Sequence, residues 1–298
     1  MLLETVAIWV GRNVPLPGSG RVLTALYPHH YGAPRFVKGV RRRRDGLLVD
    51  VDSRNVIDWN LLFRGEYEPQ MGALLRILVP QGGVAIDVGA NVGAHTLTLS
   101  RAVGSTGCVL AFEPNPITRA ALRRNVDLNG FSNIHIYDCA LGASAQVLPL
   151  RVPRIGTPEY ANQGLASLVA LETPHEEVRV QVRTLDQIDA EGRFTRLDLV
   201  KIDVQGYECH VLEGMRGVLD AYGPALIFEF EDWAWAKAGA DIERLNDVIR
   251  RSGYELWRIA AGRHAALTRL VEASHLPPHA ELLALKSGDS RAAMLRAA

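Results

Sequence analysis

The ten residues Val84–Gly93, reading Val-Ala-Ile-Asp-Val-Gly-Ala-Asn-Val-Gly, limit the possible folds more than any other stretch of the chain. Val84–Val88 is apolar except for Asp87 and suits a short strand buried on both faces. Gly89, Asn91 and Gly93 form a turn that few other residue types tolerate, and a helix-like stretch begins at Ala94. Strand, glycine turn and helix start together bring unpaired backbone N–H groups to the carboxyl edge of a sheet. Open α/β sheets hold nucleotide-like ligands at that edge.

The surrounding sequence supports such a sheet. Val84–Val88, Cys108–Glu113 and Ile134–Asp138 read as strands separated by helical segments, the second being Pro116–Leu128 with Asn129-Gly130 as its stop. This spacing calls for right-handed crossovers and a parallel sheet. The pattern resumes with strands at Leu199–Asp203 and Ala225–Phe230, a helix at Ile242–Arg251, and strands at Tyr254–Ile259 and Glu281–Leu285. The expectation is a doubly wound, mostly parallel seven-stranded α/β sheet of Rossmann-like type. Between its halves lies an insertion, 143–183, in which Val147–Val152 and Val178–Leu185 alternate like a β-hairpin around a polar loop carrying Pro158, Asn162, Gly164 and Ser167.

Residues 1–80 lack this rhythm and read as a β-rich extension. Prolines and glycines interrupt it early, and a hairpin is expected from Phe36, turning at Asp45-Gly46. Arg41–Arg44 precede that turn, as an anion site or as charges protecting an edge strand. Met71–Val79 reads as a helix. The domain organisation expected is therefore 1–80 as substrate wall or interface, 81–285 as the main domain, and 286–298 as a frayed tail.

Lys plus Arg equals Asp plus Glu, 33 each in 298 residues, so no bulk charge draws the chain to nucleic acid or an anionic membrane. The three cysteines show no metal-binding or disulfide spacing. The first ten residues carry Glu4 and no basic run, and no apolar run approaches the ~20 residues that cross a bilayer. A cytoplasmic protein, forming no membrane contact, is expected.

Two ligand classes use such a turn. A dinucleotide requires Gly-x-Gly-x-x-Gly, but Asn91 stands at the second glycine position and no third glycine follows at the right spacing. A ligand without phosphate, an adenosyl amino acid, tolerates a wider turn and favours acids. Asp87 precedes the turn, Glu113 ends the next strand, and Asp138-Cys139-Ala140 ends the third. Each acid alone passes for a surface carboxylate; three at successive strand ends form a pattern.

That pattern resembles class I S-adenosylmethionine-dependent methyltransferases, specifically the FkbM-type family. The resemblance rests on Asp87–Gly93, Ala111-Phe-Glu-Pro-Asn115, Ala140-Leu-Gly142, Asn162-x-Gly164 with Ser167, Thr184-Leu-Asp186, and Leu199–Glu208. It covers roughly residues 60 to 260 and departs at Gln205, where the family more often carries Glu. It implies that Asp87, Gly89, Asn91, Gly93, Glu113, Asn115 and Asp138–Ala140 surround the cofactor, S-adenosylmethionine, which leaves as S-adenosylhomocysteine. Glu68 matches an upstream family position that reaches the methionine end; its other reading is a charge at a helix start.

Lys201, inside a strand fit for burial, needs a partner, and Asp203 or another strand-end acid is the candidate. The expected catalytic residues are Asp203, at the strand's carboxyl end, with Glu208 and His210 just beyond. Glu208 also reads as a plain helix-start acid; His210 and His95 are possible bases within helix-like runs, and each also reads as a packed or surface histidine. No Asn/Asp-Pro-Pro-Tyr follows the fourth strand, which disfavours amino-group methylation. The resemblance points to a hydroxyl on a sugar, glycan or secondary metabolite, walled by the insertion and the extension, with Trp59, Trp233 and Trp235 available to stack. No metal is expected, although Glu229, Glu231 and Asp232 offer cation ligands; a homo-oligomer is compatible with the sequence. The competing readings are a non-catalytic adenosyl-cofactor-binding protein and a nicotinamide-dependent oxidoreductase, the latter without a Tyr-x-x-x-Lys pair.

Overall fold

A computed structural model describes residues 2–14, 18–28, 37–153, 166–170, 174–260, 267–270 and 276–297. Its strands are β1 (Val37–Arg41), β2 (Leu48–Asp52), β3 (Val84–Val88), β4 (Cys108–Phe112), β5 (Ile134–Tyr137), β6 (Ala140–Leu141), β7 (Gln146–Pro153), β8 (His175–Arg183), β9 (Leu199–Ile202), β10 (Ala225–Glu231), β11 (Tyr254–Ile259), β12 (Leu267–Leu270) and β13 (His279–Lys286). The central sheet runs β12-β11-β13-β10-β9-β3-β4-β5. Strands β10, β9, β3, β4 and β5 are parallel, and β13 runs against both of its neighbours.

The mostly parallel sheet is as expected, with one strand added. The chain leaves β3 in one direction to build β4 and β5, then crosses back to β9 and β10. Strands β3 and β9 therefore meet at a switch point, where the loops beyond their carboxyl ends diverge and leave a crevice. The added edge strand β12 escapes sequence reading because four residues, two of them polar and exposed, carry almost no alternation. Both faces of the sheet are covered. Met71, Leu74 and Leu78 of the Pro69–Leu78 helix pack with Leu199, Ile227 and Leu283 on one face; Leu110, Val200 and Phe228 pack with Leu212 and Val248 on the other.

The extension differs from its β-rich expectation. Its hairpin, β1 with β2, turns where Asp45-Gly46 predicted, but helices Leu2–Asn13, Ser19–Leu26, Val56–Phe63 and Pro69–Leu78 surround it. Two helices, Leu2–Asn13 and Ser19–Leu26, form in the stretch whose prolines were expected to break any early helix. Asn55 caps the third by accepting a hydrogen bond from the Ile57 N–H, a signal available in the sequence. Val49, Val51, Trp59 and Phe63 share a core with Leu97 and Leu122 of the main sheet's helices. Of the hairpin arginines, Arg41, Arg43 and Arg44 are exposed, as a solvated edge would have them, and Arg42 is not. Arg42 donates to the Ala94 carbonyl and to Thr98 Oγ1, both at 2.6 Å, and pairs with Asp45 at 2.9 Å. It ties the extension to the helix that follows the glycine turn.

Two further corrections concern the ends of elements. The tail expected to fray from Lys286 contains a helix, Arg291–Ala297, and Arg291 donates to the Asp198 carbonyl at 2.7 Å. Leu185 begins a helix rather than ending a strand, because Thr184 and Gln187 form a reciprocal capping box. In the insertion, β7 pairs antiparallel with β8, and β6 joins them in a separate three-stranded sheet. Pro158, Asn162 and Gly164 lie outside the described residues. Among the described residues, no helix is long and apolar enough to cross a membrane.

Candidate active site

Asp87, near the carboxyl end of β3, is 1% exposed. Its Oδ2 accepts a hydrogen bond from Thr96 Oγ1 at 2.6 Å, while its buried Oδ1 has no hydrogen-bond partner. The nearest cation is Lys201 Nζ, 3.8 Å from Oδ1. Register explains the meeting: Asp87 stands beside Lys201 in the β3·β9 ladder, so both project from one face of the sheet. Lys201 also pairs with Asp203 at 3.2 Å, as its burial in an apolar strand required. Burial works against the ammonium's charge, but Asp203, Asp87 and Glu68 outweigh it and hold the pKa above the usual lysine range.

On the other side of the glycine turn, Glu113 follows β4. Its two oxygens accept backbone N–H bonds from Asn91 and Asn115, each at 2.8 Å. Burial dominates these bonds and pushes the carboxyl up to about 7. Glu113 thus joins the turn after β3 to the loop after β4. Asn115 caps the Pro116–Leu128 helix, accepting from the Ile117 N–H.

One cleft opens along these groups. Of the expected site residues, Asp87, Gly89, Asn91, Glu113, Ala140 and Asp203 line it. Gly93, Asn115, Asp138 and Cys139 do not. Gly93 shapes the turn from behind at φ 93°, Asn115 is spent on its cap, Asp138 is exposed, and Cys139 belongs to the core. Glu68 stands at the edge, lining a neighbouring cavity, with Oε2 3.0 Å from His95 Nε2.

Two of the three expected catalytic residues are turned away. Glu208 is 1% exposed, and its Oε1 accepts from the Val204 and Gly206 N–H groups while Oε2 accepts from Trp235 Nε1 at 2.9 Å. It braces the loop behind the cleft. His210 stacks flat on Tyr207 at 4.2 Å, and burial lowers its pKa. Sequence reasoning passed over Tyr67 and weighed His95 as a possible base against a packed histidine; both line the cleft. The available signal was position: His95 is in the first turn of the helix that begins at the glycine loop.

A second acidic group lies on the same sheet face toward β13. Glu229 stands opposite Glu281, and Glu231 opposite His279. The ligand atoms of Glu229, Glu231 and His279 lie within 4.8 Å of one another, with His279 Nδ1 3.3 Å and 3.5 Å from the two carboxylates. Asp232, grouped with them from sequence, instead begins a helix, Asp232–Lys237. The triad has donors suited to a divalent cation, but its histidine already contacts both acids.

Burial and mutual repulsion push Glu229 to about 9 and Glu281 to about 8, while burial pushes Glu208, Glu113 and Asp58 to about 7. A carboxyl held above its unfolded value binds its proton more tightly in the folded chain. Its contribution is complete below the unfolded value and disappears as pH rises through the folded one. Glu68, held down to about 2 chiefly by its bond to His95 against the cost of burial, acts in the opposite sense, but only below pH 4.5. The urea midpoint should therefore fall steadily from pH 5 to pH 9. Glu229→Gln should flatten the upper part of that decline; a midpoint constant across the range would contradict the burial argument.

The methyltransferase FkbM domain matches residues 87–256, more than half of the chain, and the chain belongs to that family. Among curated relatives, "Methyltransferase 1" of Beauveria bassiana is 30% identical over 150 residues, covering 46% of this chain and 59% of that one. "Hexuronic acid methyltransferase AglP" of Haloferax volcanii is 26% identical over 163 residues, covering 53% and 59%. The matched segments thus span about three-fifths of those relatives' own lengths. A solved FkbM methyltransferase from Methylobacillus flagellatus KT superposes with a TM-score of 0.42 at 19% identity, covering 68% of this chain and 44% of that one. Such a superposition carries no argument about function.

Proposed function

We propose that this chain is an S-adenosylmethionine-dependent methyltransferase acting on a hydroxyl of a sugar, glycan or secondary metabolite. The observation that carries the reading is the convergence of Asp87 and Glu113 on one cleft, with the buried Oδ1 of Asp87 still lacking a hydrogen-bond donor. A buried acceptor left bare costs ~1–3 kcal/mol, so it fits a site that a ligand's donor completes. The donor set also fits: carboxylates suit an ammonium and ribose hydroxyls and would repel a pyrophosphate.

Within that reading, Asp87 faces the methionine end, and Glu113 with the loop after β4 faces the ribose. Ala140 and Leu141 offer small apolar atoms beneath an adenine ring. S-adenosylmethionine, when bound, supplies a methyl group on a sulfonium, ready for in-line displacement. The protein's own part is then largely alignment, which can supply ~7–11 kcal/mol. The acceptor wall is contributed by two segments outside the parallel sheet: Val56 and Ile57 from the extension, and Leu150, Ala166 and Leu168 from the insertion. Their recruitment supports the division of the chain into extension 1–80, main domain 81–285 with insertion 143–183, and tail 286–298. A relative named for hexuronic acid methylation supports a polyhydroxylated acceptor.

Calorimetry with adenosylhomocysteine is the direct test. Wild-type protein should bind, and Asp87→Ala and Glu113→Ala should each weaken binding at least ~10-fold, as expected when a charged hydrogen bond worth ~1.5–3 kcal/mol is removed. No heat from wild-type protein with either cofactor form would end the proposal.

A further inference from the structure

We propose that His95 is the general base of methyl transfer, accepting the acceptor hydroxyl's proton at Nδ1, and that Glu68 is the positioning residue holding its ring. This deepens, and rests on, the methyltransferase reading. His95 is 6% exposed, yet it lines the cleft together with Tyr67, Asp87 and Asp203. Its partner Glu68 lies toward the β9 and β13 side of the site, within the field of Lys201 and Glu281. The methionine end and the reacting centre belong on that side.

The geometry assigns the two ring nitrogens. Nε2 lies 3.0 Å from Glu68 Oε2. Burial opposes a charge on Glu68, but Lys201 and the bond from Tyr67 favour its ionised form, and a carboxylate can only accept, so Nε2 is the donor. Nδ1 is the nitrogen left for the cleft. The tautomer is thus fixed with its basic nitrogen free, as a carboxylate fixes the histidine of a hydrolytic triad. Tyr67 restrains the pair from the side, with its ring 5.6 Å from the imidazole and its hydroxyl bonded to Glu68. His95 lies in the first turn of the helix that follows the glycine loop, with Glu68 beside it.

The step balances with no further reactant. As the acceptor oxygen forms its bond to the methyl carbon, the carbon–sulfur bond breaks and its electron pair stays on sulfur, leaving a neutral thioether. The hydroxyl proton passes to Nδ1, and Glu68 stabilises the resulting imidazolium before the proton is released to water.

Wild-type, His95→Gln and Glu68→Gln proteins are compared by adenosylhomocysteine calorimetry and by labelled-methyl transfer to a panel of methyl glycosides of hexoses and hexuronic acids. His95→Gln should keep cofactor affinity within about threefold and lose at least ~10²-fold in kcat, the typical share of a general base. Glu68→Gln should lose less, about 10-fold, and move the acidic limb of the pH–rate profile to lower pH, a shift that loosened packing would not produce. Transfer by His95→Gln at the wild-type rate overturns the assignment and leaves the methyltransferase reading intact. A loss of adenosylhomocysteine binding beyond about 10-fold in His95→Gln makes His95 a cofactor ligand and also overturns it. A wild type that binds adenosylhomocysteine but methylates none of the panel overturns both the sugar-acceptor reading and this proposal.

Discussion

Lys201→Met is expected to destabilise the folded chain by ~3–5 kcal/mol, the usual consequence of removing one member of a buried ion pair. Methionine matches the lysine stem, so little packing is lost and the effect reports the charge. The lysine side chain is 5% exposed and that of Asp87 1%, so solvent screens this pair little. Asp203 and Glu68 add negative potential at the same point, which the lysine alone balances from within β9. Asp203→Asn should cost much less, under ~1 kcal/mol, because its side chain is 36% exposed and solvent can take over. The double variant Lys201→Met with Asp87→Asn should recover much of the single variant's loss, since both charges leave together. Urea denaturation with the m-value monitored checks all three. A single Lys201→Met variant within ~1 kcal/mol of wild type would mean that Asp87 is neutral or solvated, contrary to its burial.

The requirement for that lysine's partner was legible in the sequence, because a charge inside an apolar strand has few ways to be tolerated. The seven strands were legible for a related reason: a parallel sheet buries both faces, so its strands read as apolar runs whatever their neighbours are. Register carried the site reasoning further, since acids at successive strand ends must emerge on one edge. What the sequence withheld was direction. Glu208 begins a helix next to the cleft, but its carboxylate turns back to three donors, one of them Trp235, 27 residues away. No local pattern reports that choice. His95 is the converse case, a helical histidine that reads as packed until Glu68, also 27 residues away, is seen to hold it. Asn115 was decipherable: an Asn before Pro116 at a helix start is a capping signature, and the cap competes with any ligand for the side chain. The extension was misjudged because its prolines were read as excluding helices from a stretch that holds Leu2–Asn13 and Ser19–Leu26.

Gly89→Ala should do the greatest damage of any single methyl group added to the glycine turn, and the structure supplies its own controls. At φ 79° an alanine pays the left-handed penalty of ~1–2 kcal/mol. Its Cβ would also sit 1.9 Å from the Asp203 carbonyl oxygen, which is backbone and cannot rotate aside. Relief requires the end of β9 to move away from β3, carrying Asp203 and the Lys201 pair with it. A clash of this kind adds ~1–3 kcal/mol and displaces the carboxylates that define the cleft. Gly93→Ala shares the φ penalty, at 93°, but its Cβ meets only the Leu122 Cδ1 at 2.6 Å, the movable end of a side chain. Gly130→Ala, with φ 64° and nothing within 4 Å, isolates the backbone penalty alone. The expected order of destabilisation in urea is therefore Gly89 over Gly93 over Gly130. Adenosylhomocysteine affinity should fall by at least ~10-fold for Gly89→Ala, as when a charged hydrogen bond worth ~1.5–3 kcal/mol is lost, and should stay near wild type for Gly130→Ala. If Gly89→Ala proved no worse than Gly130→Ala, the two strand ends would not be in contact, and the switch point between β3 and β9 could not hold Asp87 and Asp203 on one wall.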